Sequence, residues 1–357
     1  MGKPVMLIGD VMEMLASISD ESVDCVVTSP PYWGLRDYGC EGQIGLEPTL
    51  AEHLQVMVRV FDQVRRVLKP SGTVWVNYGD CYASSPNGRS AADTKAAGTD
   101  DRTFRDKPFS TVQGVLKAKD LCMVPNRFAI AMQEAGWWVR SEIIWAKPNP
   151  MPESITDRPA TSHEKVFMFT KSAKYFYDAE AVRQRRASTG EYKTPDGWDT
   201  GPGAHGSILK TGRNKGETAA QKKNKQRGHG RRHDGFNDRW DQLDKAEQQA
   251  NGRNLRNYEP APVETWSIAT RPFSGAHFAT FPPELVERCL AAGCPKGGHV
   301  LDPFGGAGTT GLVADRLQMR ATLIELNPDY AEIAEQRFTE DRGALLDCME
   351  AQEAMEV

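Results

Sequence analysis

Two short stretches hold residue types whose spacing can do chemistry, and they lie near opposite ends of the 357-residue chain. The first is Asp24-Cys25-Val26-Val27-Thr28-Ser29-Pro30-Pro31-Tyr32-Trp33, a strand-like apolar run that stops at a Ser-Pro-Pro sequence and continues into two aromatics. Adjacent prolines fix two φ angles and remove two backbone donors, so the strand must end there with its last carbonyls free to accept. The Ser29 hydroxyl, the Pro30 carbonyl and the Tyr32 ring would make a small pocket for a flat group that carries an NH2. The plainer alternative is a strand end followed by a proline turn with two core aromatics.

The second stretch is Asp302-Pro303-Phe304-Gly305-Gly306-Ala307-Gly308-Thr309-Thr310. A glycine turn between a strand and a helix start offers unpaired N–H groups and lets a ligand approach the backbone. Its Gly-Gly-x-Gly spacing is not Gly-x-Gly-x-x-Gly, and no Lys-Ser or Lys-Thr follows, so neither NAD nor ATP is the natural guest. Glu325 ends the next strand 23 residues after Asp302, where an acid accepts from ribose hydroxyls. Ribose recognition without a demand for phosphate, beside an acid (Asp302) able to hold an ammonium group, describes S-adenosylmethionine. Here the alternative is a turn that only packs helix on strand.

The elements that must carry these stretches follow from periodicity. Residues 5–9 read as a strand ending at Asp10, which suits both a helix N-cap and a ligand-edge acid. A short helix spans 11–18. Residues 34–48 form a glycine-hinged loop, and apolar residues at three- and four-residue steps predict a helix over 49–68, stopped by Lys69-Pro70-Ser71-Gly72 and followed by a strand at 73–77. Further elements are a helix at 125–135, strands at 137–145 and 164–170 joined by the proline-rich Lys147–Pro152 segment, and a helix from Pro283. A strand ends at Asp302, a helix spans 311–317, a strand 320–325, and a last helix runs from Pro328 to about Arg342 before a frayed acidic tail. Strands alternating with helices predict a mostly parallel α/β sheet.

Composition bounds the rest. With 39% hydrophobic and 26% charged residues, and no stretch approaching the roughly 20 apolar residues of a membrane span, the chain reads as soluble and cytoplasmic. Its seven cysteines, with no Cys-x-x-Cys pair, suit reduced thiols and disfavour a zinc site or any other metal. The net charge of −4 conceals a split: residues 183–258 hold 17 Lys+Arg against 9 Asp+Glu, leaving the remainder at −12. Such an insert suits a polyanion, and its densest runs carry Lys222, Lys223, Lys225, Arg227, Arg231 and Arg232.

Together the two stretches resemble the amino-methyltransferase family of DNA methyltransferases, in the permuted order of its beta group. Thr28 to Trp33 looks like the catalytic (D/N/S)-P-P-(Y/F) motif, Asp302 to Thr310 like the cofactor motif, Glu325-Leu326-Asn327-Pro328 like the ribose-binding element and Gly9-Asp10 like the element beside the adenine. The resemblance implies a Rossmann-like class I S-adenosylmethionine-dependent sheet with helices on both faces. It splits into a catalytic half at 1–182 with a loop insertion at 83–119, a target-recognition insert at 183–262 and a cofactor half at 263–357. Ser29, Pro30, Pro31 and Tyr32 would then be catalytic. Asp10, Asp302, Phe304, Gly305, Gly306, Gly308, Thr309, Glu325 and Asn327 would hold the cofactor, and Trp33 with the basic runs would meet double-stranded DNA.

Ser at the first motif position goes, by family tendency, with cytosine N4; adenine N6 is the alternative. Without a Pro-Cys dipeptide, C5 methylation is excluded. An RNA or protein methyltransferase, or a DNA-binding module without catalysis, are the rival classes. The resemblance leaves room for a cognate restriction endonuclease as partner, and for a monomer or a homodimer.

Overall fold

The computed structural model describes residues 3–84, 109–182, 264–271 and 281–355, with side chains described to Gly343. The chain divides into two units, 1–183 with 262–357, and 184–261; the described residues belong to the first.

The described strands are β1 (Val5–Ile8), β2 (Val23–Thr28), β3 (Leu68–Tyr78), β4 (Trp138–Ala146), β5 (His163–Thr170), β6 (Thr265–Ser267), β7 (His299–Asp302) and β8 (Arg320–Glu325). They form one sheet in the order β1-β8-β7-β2-β3-β5-β4-β6. Only β5 runs against its neighbours; every other pairing is parallel. A central parallel strand is covered on both faces and need not alternate, and all six residues of β2 are buried.

The described helices are α1 (Val11–Ala16), α2 (Leu50–Val67), α3 (Val124–Glu134), α4 (Pro283–Gly293), α5 (Thr309–Arg316) and α6 (Pro328–Met355). On one face, Leu15 of α1, Met57 and Phe61 of α2 and Phe128 of α3 pack against Val26, Val74 and Val76. On the other, Leu285 and Leu290 of α4, Val313 of α5 and Phe338 of α6 pack against Val27 and Trp75. Helix α2 starts with a reciprocal capping box: Glu52 N–H donates to Thr49 Oγ1 and Thr49 N–H to the Glu52 carboxylate.

Three boundaries differ from the periodicity reading. Lys69–Gly72 follows the end of α2 at Val67, as a helix stop should, but the strand expected from Thr73 already begins at Leu68, and these residues form an irregularity between the pairs Val23–Leu68 and Cys25–Thr73, which is where a sheet tolerates Pro70. The last helix continues to Met355 instead of ending near Arg342. The short edge strand β6 is too brief to show a period in sequence. The ends of the 83–119 loop are tied, with Tyr82 bridging Leu121 and Ala83 N–H donating to the Asp120 carbonyl; residues 85–108, and the whole 183–262 insert with its basic runs, lie outside the described residues.

Candidate active site

Because seven strands point the same way, the carboxyl ends of β1, β8, β7, β2, β3 and β4 reach one edge, where antiparallel β5 presents its start. From β7 the chain moves outward to β8; from β2 it moves the other way to β3. Between them lies the point at which open α/β sheets leave a crevice for ligands. A cavity of about 560 Å³ opens there, lined from Gly9 and Asp10 at one end to Lys147 and Glu164 at the other. That volume is typical of small-molecule sites.

At the β1–β8–β7 end, the backbone forms the wall. Each glycine of the turn has its own reason. A Cβ on Gly305 would come within 2.9 Å of Leu323 Cβ, whereas Gly306 has φ +49° and faces open space. Gly308, with φ +77°, would press on Ala334 and Phe338 at 2.7–2.8 Å. The seat of α5 on α6 therefore leaves no room for a side chain at Gly308, whose neighbours Ala307 and Thr309 line the cavity. Arg337 of α6 grips the Ala307 carbonyl behind the turn.

The acids at this end are partly spent on the protein itself. Glu325 accepts from Gly306 N–H at 2.7 Å and Asn327 N–H at 2.9 Å, and burial raises its pKa. Asp10 caps α1 by accepting from Met12 and Glu13 N–H, while also lining the cavity. Asp302 is buried and accepts from Thr28 Oγ1 at 2.6 Å, Thr310 Oγ1 at 2.7 Å and Phe304 N–H at 3.1 Å. Burial pushes its pKa up to about 6 despite these donors. It thus ties β7 to β2 and α5 first, and meets a ligand only through what its oxygens have left. Phe304, Gly305, Gly306, Thr309 and Asn327 line the cavity.

At the β2–β3–β5–β4 end, side chains form the wall. Ser29, Pro30, Pro31 and Tyr32 all line it, and no described residue donates to the Pro30 carbonyl. The Tyr32 ring packs over Gly79, where a Cβ would come to 2.4 Å, and tilts against Tyr78 at 5.4 Å. Its hydroxyl donates to Glu164 Oε2 at 3.1 Å and stands 3.4 Å from Ser29 Oγ. Asn77 Nδ2 donates to the same Glu164 oxygen at 3.1 Å, and Lys147 forms an ion pair with the other. Burial first, and the Glu164 charge second, push the Tyr32 phenol well above its ordinary pKa. Asn77, Lys147 and Glu164 escape sequence reasoning, since they stand on three separate strands or strand ends with no local motif to join them.

Trp33 is not available to DNA. It is fully buried, its indole donates to the Glu47 carbonyl at 3.0 Å and its ring meets Phe109 edge-on. The preceding prolines turn the chain so that Tyr32 faces the cavity and its neighbour faces the core. The 34–48 loop closes with Gly34 N–H donating to the Gly45 carbonyl, and Tyr38 from it meets Tyr330 edge-on at 6.4 Å at the Glu325 end of the cavity.

The fold is that of a DNA methylase. A DNA methylase family model matches residues 23–336, and the chain belongs to this N6/N4 family of S-adenosylmethionine-dependent methyltransferases. Similar relatives include the type II methyltransferases M.XycI of Xanthomonas campestris pv. cyanopsidis, 40% identical over 92% of this chain and 86% of that one, and M.SmaI of Serratia marcescens, 38% identical over 94% and 91%. Among solved structures, the cytosine-N4-specific PvuII DNA methyltransferase shares the fold with a TM-score of 0.55 at 18% identity, covering 97% of this chain and 93% of that one. A Thermus thermophilus protein solved with S-adenosyl-L-methionine gives 0.50 at 24% identity, covering 95% and 94%. Among the described residues, no helix is long and apolar enough to cross a membrane.

Proposed function

We propose that this DNA methylase is site-specific and methylates the exocyclic amine of a base flipped out of duplex DNA, with cytosine N4 as the acceptor atom. The observation that carries the reading is a single cavity with a glycine turn and an acid at the end of the next strand on one side, and the Ser29 hydroxyl beside the Pro30 carbonyl, to which no described residue donates, on the other. The residues present fit the cofactor: open space above Gly306 admits a ligand to the backbone, and Glu325 and Asp10 face the same cavity. Bound S-adenosylmethionine supplies a methyl made electrophilic by its sulfonium.

The rest falls to this chain. An exocyclic amine is a poor nucleophile because its lone pair is shared with the ring. Hydrogen bonds from its two hydrogens to Ser29 Oγ and the Pro30 carbonyl favour the pyramidal nitrogen that can attack directly, with no covalent enzyme intermediate. Such positioning contributes on the order of 7–11 kcal/mol in well-oriented reactions. A paired base keeps its amine inside the stack, so it must be extruded, and the Tyr32 ring is the face on which it rests. The amine proton leaves after transfer, so no strong base is required. Ser29 at the head of the motif supports cytosine over adenine.

Residues 1–182 and 263–357 are proposed as the two halves of one catalytic domain, and 183–262 as the insert that meets the target sequence, with no role for Trp33. Transfer of labelled methyl to duplex DNA, RNA and protein in parallel, followed by nucleoside analysis, tests the reading. N4-methylcytosine in duplex DNA is expected. Label on adenine N6 would overturn the choice of base, and label only on RNA or protein the choice of substrate.

A further inference from the structure

We propose that Glu164 sets the direction of the hydrogen-bond chain at the base end of the cavity, so that the Ser29 hydroxyl meets the target amine as an acceptor only. The inference rests on the amine-methylation reading above and concerns the proton on one oxygen. A serine hydroxyl can donate or accept. If its hydrogen pointed into the cavity, it would oppose an incoming N–H, donor against donor.

The network removes that choice. Glu164 is paired with the Lys147 ammonium through Oε1, and an ionised carboxylate only accepts. At Oε2 it takes Asn77 Nδ2 and the Tyr32 hydroxyl, each at 3.1 Å. Tyr32 has one proton, and it is spent on Glu164. The phenol oxygen, 3.4 Å from Ser29 Oγ, can then only accept, so the proton between them belongs to Ser29. With its hydrogen turned towards Tyr32, Ser29 Oγ has its lone pairs left for the cavity. The Pro30 carbonyl is an acceptor by nature. A nitrogen with two hydrogens thus meets two acceptors. Burial and the Glu164 charge keep the Tyr32 phenol protonated, which keeps the order intact. Glu164 acts through Tyr32 and Ser29, so it is a positioning residue.

Glu164→Gln keeps the shape, but its amide presents either an N–H or a carbonyl to Tyr32, so the order is lost. Tyr32→Phe keeps the ring but removes the oxygen to which Ser29 donates. Single-turnover methylation by each variant should slow by about tenfold or more, with adenosylmethionine and DNA affinities within about twofold of wild type. The double variant should be no slower than the slower single, because both break one chain. Effects that multiply in the double variant, or a full rate in Glu164→Gln, would overturn the proposal. Should Glu164→Gln fail to fold in thermal melts, Tyr32→Phe decides alone, since Glu164 there retains Asn77 and Lys147: a full rate refutes the chain. A wild-type enzyme that puts no methyl on a DNA amine sinks the functional reading; an active wild type with multiplying defects sinks only the proton order.

Discussion

The two ends of the cavity are built from different materials. At the cofactor end, Gly305 and Gly306 form a backbone turn, and the side chains that matter there, Glu325 and Asp302, are oriented by N–H groups and threonines a few residues or one strand away. At the base end, Tyr32, Asn77, Lys147 and Glu164 come from four separate strands or strand ends and hold one another. A backbone wall is insensitive to side-chain identity except where a Cβ intrudes. A side-chain wall depends on every member. The first should fail all at once when blocked, the second by degrees.

The largest effect should come from Gly306→Val. Open space above Gly306 spares the core a clash, but a β-branched side chain at φ +49° is strained, so a modest fall in melting temperature should accompany the loss of adenosylmethionine binding in calorimetry. Asp302→Ala should abolish binding as well, but it also strands the donors of Thr28, Thr310 and Phe304. The cost of lost buried hydrogen bonds, about 1–3 kcal/mol each, should appear as a lower melting temperature. A fall for Asp302→Ala no larger than that for Gly306→Val would break the distinction between a blocked wall and a lost tie.

Next in size is Tyr32→Ala, which removes a stacking face worth about 1–3 kcal/mol. It should slow single-turnover transfer while cofactor affinity holds; a parallel loss of affinity would mean the two ends are not separable. A smaller effect follows from Asp302 titrating at about 6. Its pKa is raised because burial disfavours the charged form. A cationic cofactor favours that form, so affinity should be flat above about pH 7 and weaken as pH falls through about 6. Affinity independent of pH between about 5 and 8 would place the cofactor's charge beyond the reach of Asp302. The smallest effect is expected from the insert. Neutralising Lys222, Lys223, Lys225 and Arg227 should flatten the slope of log DNA affinity against log salt by up to about one unit per lost phosphate contact. An unaltered slope would make that run a solvated face.

The same contrast decides what the sequence can disclose. The cofactor end is legible because its parts are local: strand, glycine turn, helix start and the acid on the next strand succeed one another within Asp302 to Asn327. So is the Ser-Pro-Pro-Tyr turn. Glu164 is not, because nothing near it in sequence marks a carboxylate whose partners are 17, 87 and 132 residues away. Trp33 is misplaced because periodicity cannot show which way a side chain leaves a proline turn. The packing demand on Gly308 is hidden for another reason: a glycine needed for packing and one needed for a ligand look alike until the neighbours, Ala334 and Phe338, are in place.

The tie between Thr28 and Asp302 spans 274 residues. Strand β2 pairs with β3 soon after both are made, but its other edge waits for β7. During synthesis, at about 5–20 residues per second, a strand whose every residue is destined for the core therefore stands with one ladder open for roughly ten seconds or more. Open edges of this kind invite pairing with other chains, and contacts this distant slow folding. The permuted order of the two halves therefore gives a newly made chain its longest period of aggregation risk just before the cofactor end arrives, and in a refolding experiment the slowest step should be the docking of β7 and β8 onto β2.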